Sequence, residues 1–292
     1  MTRRSAGATG VDGAAETARA IADGAGEPTR IAVPGATGRM GAELLAAASD
    51  RTDVTVALAT SRFPEEGPVE GVDLAAHGDL TRLLAVRDVD VLVDFTVPDS
   101  CADAVSAAAD AGVASVVGTT GFNSATTAAL QEASEDAPVL KAANFARGVQ
   151  VLLSLVGEAA AAMDGYDAEL LETHHNGKRD APSGTAKRIL DAIEAGRAEA
   201  EREDADAGGQ ERVHGREGHA PRSEDEVGVH AVRAGDITGI HEVLLAGNHE
   251  ELRLTHRAED RGVFAAGALD AAVWLDGQPP GWYDFGDVLG QE

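Results

Sequence analysis

The sequence predicts an α/β chain, a Rossmann-type dinucleotide-binding domain followed by an α+β domain with a mixed sheet. Short apolar runs alternate with helical stretches through residues 30–140, the pattern of a parallel sheet covered by helices on both faces. The first run ends in a glycine-rich loop, Gly35-Ala36-Thr37-Gly38-Arg39-Met40-Gly41. After about Ala146 the rhythm changes to one long apolar helix and then strands separated by turn signals.

Taken in order, Ile31-Ala32-Val33 is a strand, residues 42–48 a helix and residues 54–58 a second strand. Residues 89–95 form another strand, 102–111 a helix, 113–117 a strand, 125–133 a helix, and Val139-Leu140 a short strand. These strands are nearly all apolar, as strands buried on both faces must be. In the second region, residues 149–163 read as a helix and 168–172 as a strand. A polar loop follows, then a helix over 186–196 and strands over 227–232, 240–245 and 251–254. The expected organisation is a mobile extension at 1–28, a dinucleotide domain at 29–146 and a second domain at 147–261. The stretch 198–209 is acidic and low in complexity, and reads as a local insertion.

A chain of 292 residues has room for two modest cores. No run approaches the roughly 18 apolar residues of a membrane span, and Arg3 and Arg4 lead into an Ala/Gly/acidic stretch instead of a leader's apolar core. The expectation is a cytoplasmic protein with no membrane partner. Cys101 is the single cysteine, so no disulfide can form within the chain. Fifty acidic against 24 basic residues give a net charge of −26, which argues against nucleic-acid partners because a phosphate backbone would be repelled. Lysine occurs only at Lys141, Lys178 and Lys187. Such a surface repels itself at low ionic strength and is screened by concentrated salt. The lysine depletion together with the acid excess favours a halophilic protein over an ordinary acidic one.

The glycine loop lies between a strand and a helix, the context in which it cradles a pyrophosphate. Its glycines permit a tight turn and close backbone approach, and the helix N-terminus offers N–H groups to the anion. Where NAD-specific folds place a carboxylate after the second strand, this chain has Thr60-Ser61-Arg62. Two hydroxyls and a guanidinium suit a 2′-phosphate, so NADPH is the expected cofactor and NADH the alternative; the competing reading of Arg62 is an ordinary solvated arginine. Gly118-Thr119-Thr120-Gly121 and Ala142-Ala143-Asn144-Phe145 follow later strands at the same sheet edge, where ligands of open parallel sheets sit.

The most informative stretch runs from Glu172 through His174-His175, Lys178 and Asp180 to Ser183-Gly184-Thr185-Ala186. Backbone N–H groups at Gly184 and Thr185, the Thr185 hydroxyl and a helix dipole would hold a substrate carboxylate. His174 and Lys178 can both donate protons. An anchored anion and an acid are what reduction of a carbon–nitrogen double bond needs. Adjacent histidines without a nearby cysteine or H-x-x-x-H spacing argue against a metal.

This stretch resembles the motif E-x-H-H-x-x-K-x-D-A-P-S-G-T-A of the dihydrodipicolinate (4-hydroxy-tetrahydrodipicolinate) reductase family of diaminopimelate and lysine biosynthesis. The glycine loop, Asp94-Phe95-Thr96 with Pro98, His214-Gly215-Arg216-Glu217-Gly218, residues 229–237 and Leu254-Thr255-His256-Arg257-Ala258 extend the resemblance over about residues 30–290. It implies that His174 is a proton donor or acceptor, that Lys178 protonates the substrate, and that His175, Gly184 and Thr185 hold its carboxylates. It further implies dinucleotide contacts from Gly35, Ala36, Thr37, Gly38, Arg39 and Met40, from Gly118, Thr119 and Thr120, and from Ala142, Ala143, Asn144 and Phe145. A return of the chain to the first domain over 262–292 and a homotetramer built on the second domain's sheet are also implied.

Two rivals share the architecture. A semialdehyde dehydrogenase needs a cysteine nucleophile, for which Cys101, at a helix start in the cofactor domain, is the sole candidate. A non-catalytic dinucleotide sensor has no use for His174 and Lys178 beside Ser183-Gly184-Thr185.

Overall fold

A computed structural model describes residues 27–64, 67–76, 78–200, 210–223 and 225–290. The extension expected at 1–28 falls outside this set except for Glu27 and Pro28, and most of the acidic insertion, 201–209, also lies outside it. The chain divides into two compact units, residues 1–145 with 264–292, and residues 146–263.

The first unit is a seven-stranded parallel sheet. Its strands are β1 (Thr29–Pro34), β2 (Val54–Ser61), β3 (Ala75–Ala76), β4 (Val91–Asp94), β5 (Ala114–Val117), β6 (Pro138–Lys141) and β12 (Gly281–Tyr283), in the order β12-β6-β5-β4-β1-β2-β3. The order reverses between β1 and β4, the switch point at which open α/β sheets bind ligands. Side chains alternate across the strands and divide the core in two. Ile31, Val33, Val91 and Val93 face α1 (Arg39–Ser49) and α7 (Gly262–Leu275). Ala32, Leu58, Leu92 and Val117 face α2 (Leu80–Val86), α3 (Pro98–Asp110) and α4 (Ser124–Asp136). Leu92 is fully buried, and cutting such a leucine to alanine costs about 2–5 kcal/mol.

The second unit is a mixed five-stranded sheet of β7 (Asp167–His174), β8 (Glu211–His214), β9 (Glu226–Arg233), β10 (Gly239–Gly247) and β11 (Glu250–Ala258), in the order β11-β10-β7-β9-β8. One face packs Leu170, Val229, Val243 and Leu245 against α5 (Arg147–Ala162) and α6 (Gly184–Ala200). On the other face Leu171 and Val232 stand 39% and 41% exposed. Among the described residues no helix is long and apolar enough to cross a membrane.

The predicted strands and helices are present, with shifted ends. β7 continues two residues past the expected Glu172 to His174, so the catalytic candidate sits on a strand and not in the polar loop. α6 begins two residues earlier than expected, at Gly184, and extends to Ala200. The elements the sequence did not announce are short or lack periodicity. β3 is two alanines, and β8 carries one apolar residue among Glu-Arg-Val-His. α7 is rich in Ala and Gly and buried over most of its surface, so it has no polar face to give a helical repeat. The last helix, α8 (Phe285–Val288), is a single turn.

Candidate active site

The candidate dinucleotide cradle of the first unit lies at the carboxyl ends of its strands. After β1, Gly35 takes a left-handed φ of +65°, and a Cβ there would stand 2.8 Å from Thr96 Cγ2. At Gly41 a Cβ would come within 2.5 Å of the Gly35 carbonyl oxygen, so the turn closes only without one. Ala36 is buried while Thr37, Gly38 and Arg39 are exposed, and Gly38 opens α1 without any side-chain cap. Arg39 and Met40 begin that helix. Backbone-only geometry at an uncapped helix N-terminus fits a pyrophosphate.

Thr37 Oγ1 lies 3.2 Å from Ser61 Oγ at the end of β2. The next residue, Arg62, is exposed, with Nη2 donating to Ser100 Oγ over 3.4 Å. After β5, a Cβ at Gly118 would run into the Phe95 ring at 2.2 Å; Thr119 is buried and Thr120 exposed. After β6, Ala142 is buried, Ala143 exposed and Asn144 half-buried, while Phe145 packs against Phe95 and Phe285. Every predicted cofactor residue in this unit thus lies on the strand-end edge of the sheet. Asp94, fully buried, organises that edge: its Oδ1 accepts from Thr96 N–H, Thr96 Oγ1 and Thr119 Oγ1 at 2.9, 2.9 and 2.8 Å. Cys101 lies beneath it, its thiol pushed well up by burial and by Asp94. A thiol held protonated in the core is no nucleophile.

The second unit gathers the other candidates around the end of β7. The period of two along the strand puts Glu172 and His174 on one face. Glu172 is fully buried and is the hub. Its Oε2 accepts from His174 Nδ1 in a short hydrogen bond, and its Oε1 accepts from Arg233 Nη2 at 2.6 Å and from Ser183 N–H at 3.3 Å. Burial alone would raise its pKa, but Arg233 and His174 hold it below the usual carboxylate range. Burial lowers the pKa of His174, with Lys178 and Arg233 adding to the effect and Glu172 opposing it. His241, directly across the sheet from Glu172, is pushed down to about 4 by burial and by its histidine neighbours.

Ser183 Oγ lies 3.1 Å from His241 Nε2 and accepts from Ala186 N–H at 3.1 Å, capping α6. Gly184 starts the helix, exposed, with nothing within 4 Å of where a Cβ would stand. Thr185 follows half-buried, as is His175. Lys178 Nζ pairs with Asp180 Oδ1 at 2.9 Å, and Asp180 is tied in turn through its carbonyl to Arg233 Nη2 at 2.6 Å. Donor atoms of Glu172, His174 and His241 lie within 4.8 Å of one another, a spacing a metal could use. The carboxylate is already engaged by Arg233, Ser183 and His174, so this trio reads as a hydrogen-bonded hub.

The structure therefore brings together His174, Lys178 and the start of α6, and adds Glu172, Ser183, Arg233 and His241, to which the sequence reading gave no role. The spacing of Glu172 two residues before His174 could have flagged it. Nothing local marks His241, which arrives through strand pairing 69 residues later.

A parallel sheet with a glycine cradle at its switch point, joined to a unit presenting proton carriers beside a helix N-terminus, defines a pyridine-nucleotide-dependent oxidoreductase. The chain belongs to the dihydrodipicolinate reductase family: residues 29–145 match its N-terminal part and residues 148–289 its C-terminal part. It is 53% identical over 261 residues to the 4-hydroxy-tetrahydrodipicolinate reductase of Haloarcula marismortui, covering 89% of this chain and 99% of the relative. The enzyme of the same name from Natronomonas pharaonis is 51% identical over 259 residues, with 89% and 99% covered. Among solved structures, a dipicolinate-bound dihydrodipicolinate reductase from Paenisporosarcina sp. TG-14 has the same fold, with a TM-score of 0.68, 23% identity, and 88% and 97% of the chains covered.

Proposed function

We infer that this chain is a 4-hydroxy-tetrahydrodipicolinate reductase of lysine and diaminopimelate biosynthesis. The reaction consumes 4-hydroxy-tetrahydrodipicolinate, NAD(P)H and a proton, and yields tetrahydrodipicolinate, NAD(P)+ and water. The observation that carries this reading is the full-length likeness to enzymes of that name, on a chain that keeps His174, Lys178 and the Ser183-Gly184-Thr185 helix start together. Coupling the protein to a synthase that makes the substrate from aspartate semialdehyde and pyruvate, and following NADPH oxidation, tests it. Absence of substrate-dependent oxidation rules it out.

In this reading the bound nicotinamide supplies the hydride. Gly35 to Met40, Gly118 to Thr120 and Ala142 to Phe145 hold the dinucleotide. His175, Gly184 and Thr185 bind the substrate carboxylates, and the dipicolinate in the solved relative, an aromatic dicarboxylate, is of the matching ligand class. Lys178 gives up a proton to the reduced substrate, and His174 carries protons beside it. NADPH is the preferred cofactor, on the grounds that the exposed Thr37, beside Ser61, and Arg62 offer a hydroxyl and a cation at the end of β2 in place of a carboxylate; of the two hydroxyls that the sequence offers there, Thr60 and Ser61 are both buried. The exposed apolar residues Leu171 and Val232 on the open face of the second sheet support assembly through that face, in a homotetramer.

A further inference from the structure

We propose that Glu172 is a positioning residue that fixes the tautomer of His174, holding the ring hydrogen on Nδ1 and leaving the lone pair on Nε2, beside Gly239. The proposal rests on the reading of His174 as a proton carrier and specifies the form in which it waits for substrate.

An ionised carboxylate only accepts hydrogen bonds. Glu172 takes three donors: Arg233 and the Ser183 N–H on Oε1, and His174 on Oε2. The atom of His174 facing it is Nδ1, so Nδ1 must carry hydrogen. The ring is buried, and Lys178 and Arg233 lie nearby as cations, so the second proton that would make an imidazolium is disfavoured. The remaining nitrogen, Nε2, then holds a lone pair.

Gly239 lies beside that lone pair. The nearest heavy atom that a Cβ at residue 239 would meet is His174 Nε2, at 3.2 Å. Glycine at the start of β10 thus keeps a side chain from crowding Nε2. The groups facing the ring are Glu172 on its own strand, Arg233 on β9, His241 on β10 with ring centroids 5.1 Å apart, and Lys178 in the following loop. Of these only Glu172 bonds Nδ1. The free enzyme therefore presents His174 as a hydrogen-bond acceptor and base.

Glu172→Gln is a nearly isosteric test with an opposite demand. The amide oxygen must remain on the side of Arg233 and Ser183, both of which donate. The amide N–H₂ is then left facing His174 Nδ1, which must become an acceptor. The ring hydrogen moves to Nε2, and the lone pair is lost where it is needed.

The measurement is nitrogen-15 NMR of the histidine side chains of the full chain at about pH 8, above the ordinary histidine range, with His174 assigned from a His174→Asn variant. In the wild type we expect a neutral ring with hydrogen on Nδ1. Neutral His174 with hydrogen on Nε2, or an imidazolium, overturns the proposal, and this measurement needs no variant to fold other than the one used for assignment. In Glu172→Gln we expect the hydrogen on Nε2, kcat lower by roughly tenfold or more, and KM for substrate changed far less. A swapped tautomer with unchanged kcat overturns the functional half. A loss of kcat without the swap, accompanied by a lower Tm, shows that Glu172 is only structural. If His174→Asn itself keeps full kcat while the wild-type tautomer is as stated, the assignment of the ring stands and the proton-carrier reading of His174 fails.

Discussion

The Thr119 hydroxyl donates to Asp94 Oδ1 over 2.8 Å with both residues buried. The same carboxylate oxygen takes the Thr96 N–H and hydroxyl, so one buried acid ties together the loops that follow β4 and β5. Removing one donor leaves a buried acceptor under-satisfied at a cost of roughly 1–3 kcal/mol. Thr119→Val is expected to lower unfolding stability by that amount in a denaturant titration. It should also raise KM for the dinucleotide more than KM for the dicarboxylate. Equal effects on both would separate Asp94 from the cofactor edge.

Lys178 is one of three lysines in a chain that otherwise uses arginine. An ammonium can surrender its proton to a developing amine, whereas a guanidinium cannot. Lys178→Arg is expected to lower kcat by roughly 10²-fold or more, while the binding of pyridine-2,6-dicarboxylate changes far less. Near-normal turnover in the arginine variant would make residue 178 an electrostatic anchor and leave proton delivery to another group.

In the proposed reading, cofactor choice turns on the end of β2. Arg62→Ala should raise KM for NADPH severalfold and leave KM for NADH nearly unchanged, as steady-state kinetics with the two cofactors would read. A wild type that strongly prefers NADH, with no response to this change, would contradict the role given to Thr37, Ser61 and Arg62.

The pH dependence of stability has a definite sign. Burial above all, with His174, His256 and Lys178 adding to it and Glu172 opposing, pushes the pKa of His241 in the folded chain down to about 4 from its ordinary value of 6.5. Between those values the unfolded chain binds a proton that the folded chain refuses, so stability falls as pH drops from 6.5 through about 4 and is level above that window for this group. The shift corresponds to about 3 kcal/mol at its acid limit. Denaturant unfolding at pH 7 and at 4.5 should show a smaller acid loss for His241→Gln than for the wild type. Parallel pH profiles would count against the histidine.

A net charge of −26 repels itself over a Debye length of about 10 Å at 0.1 M salt and about 3 Å at 1 M. Tm and activity are expected to rise as KCl increases from dilute to molar concentration. A flat or falling Tm across that range would remove the halophilic reading.

The sheet of the first unit was readable because its strands are apolar runs bounded by turn residues, and the cradle because Gly35, Gly38 and Gly41 follow β1 directly. In the second unit, His174 and Lys178 were visible because they lie within one short stretch with Ser183. Their support was not. His241 reaches Ser183, and Arg233 reaches Glu172, only through pairing of β7 with β10 and β9, and single-strand periodicity carries no information about which strand lies alongside. The polar run after Glu172 read as a loop because His174 interrupts the apolar pattern; it is strand all the same, since its ring is satisfied by a buried carboxylate.

The segment that closes the first unit follows the whole second unit in the chain. Ala265, Ala268, Leu269, Ala272, Leu275 and Phe285 share one core cluster with Ile31 and Val33, and Gly267 packs so tightly that a Cβ there would stand 1.8 Å from the Phe145 carbonyl oxygen. On the ribosome, the glycine loop and α1 are synthesised early, yet the face of the sheet that α1 shares with α7 stays only partly covered until the chain has passed through the whole second unit. Nascent first-unit strands must wait with exposed valine and isoleucine, and a chain stopped short of α7 would present that surface to chaperones and to other nascent chains. Completion of the first unit's core is therefore tied to synthesis of the second unit.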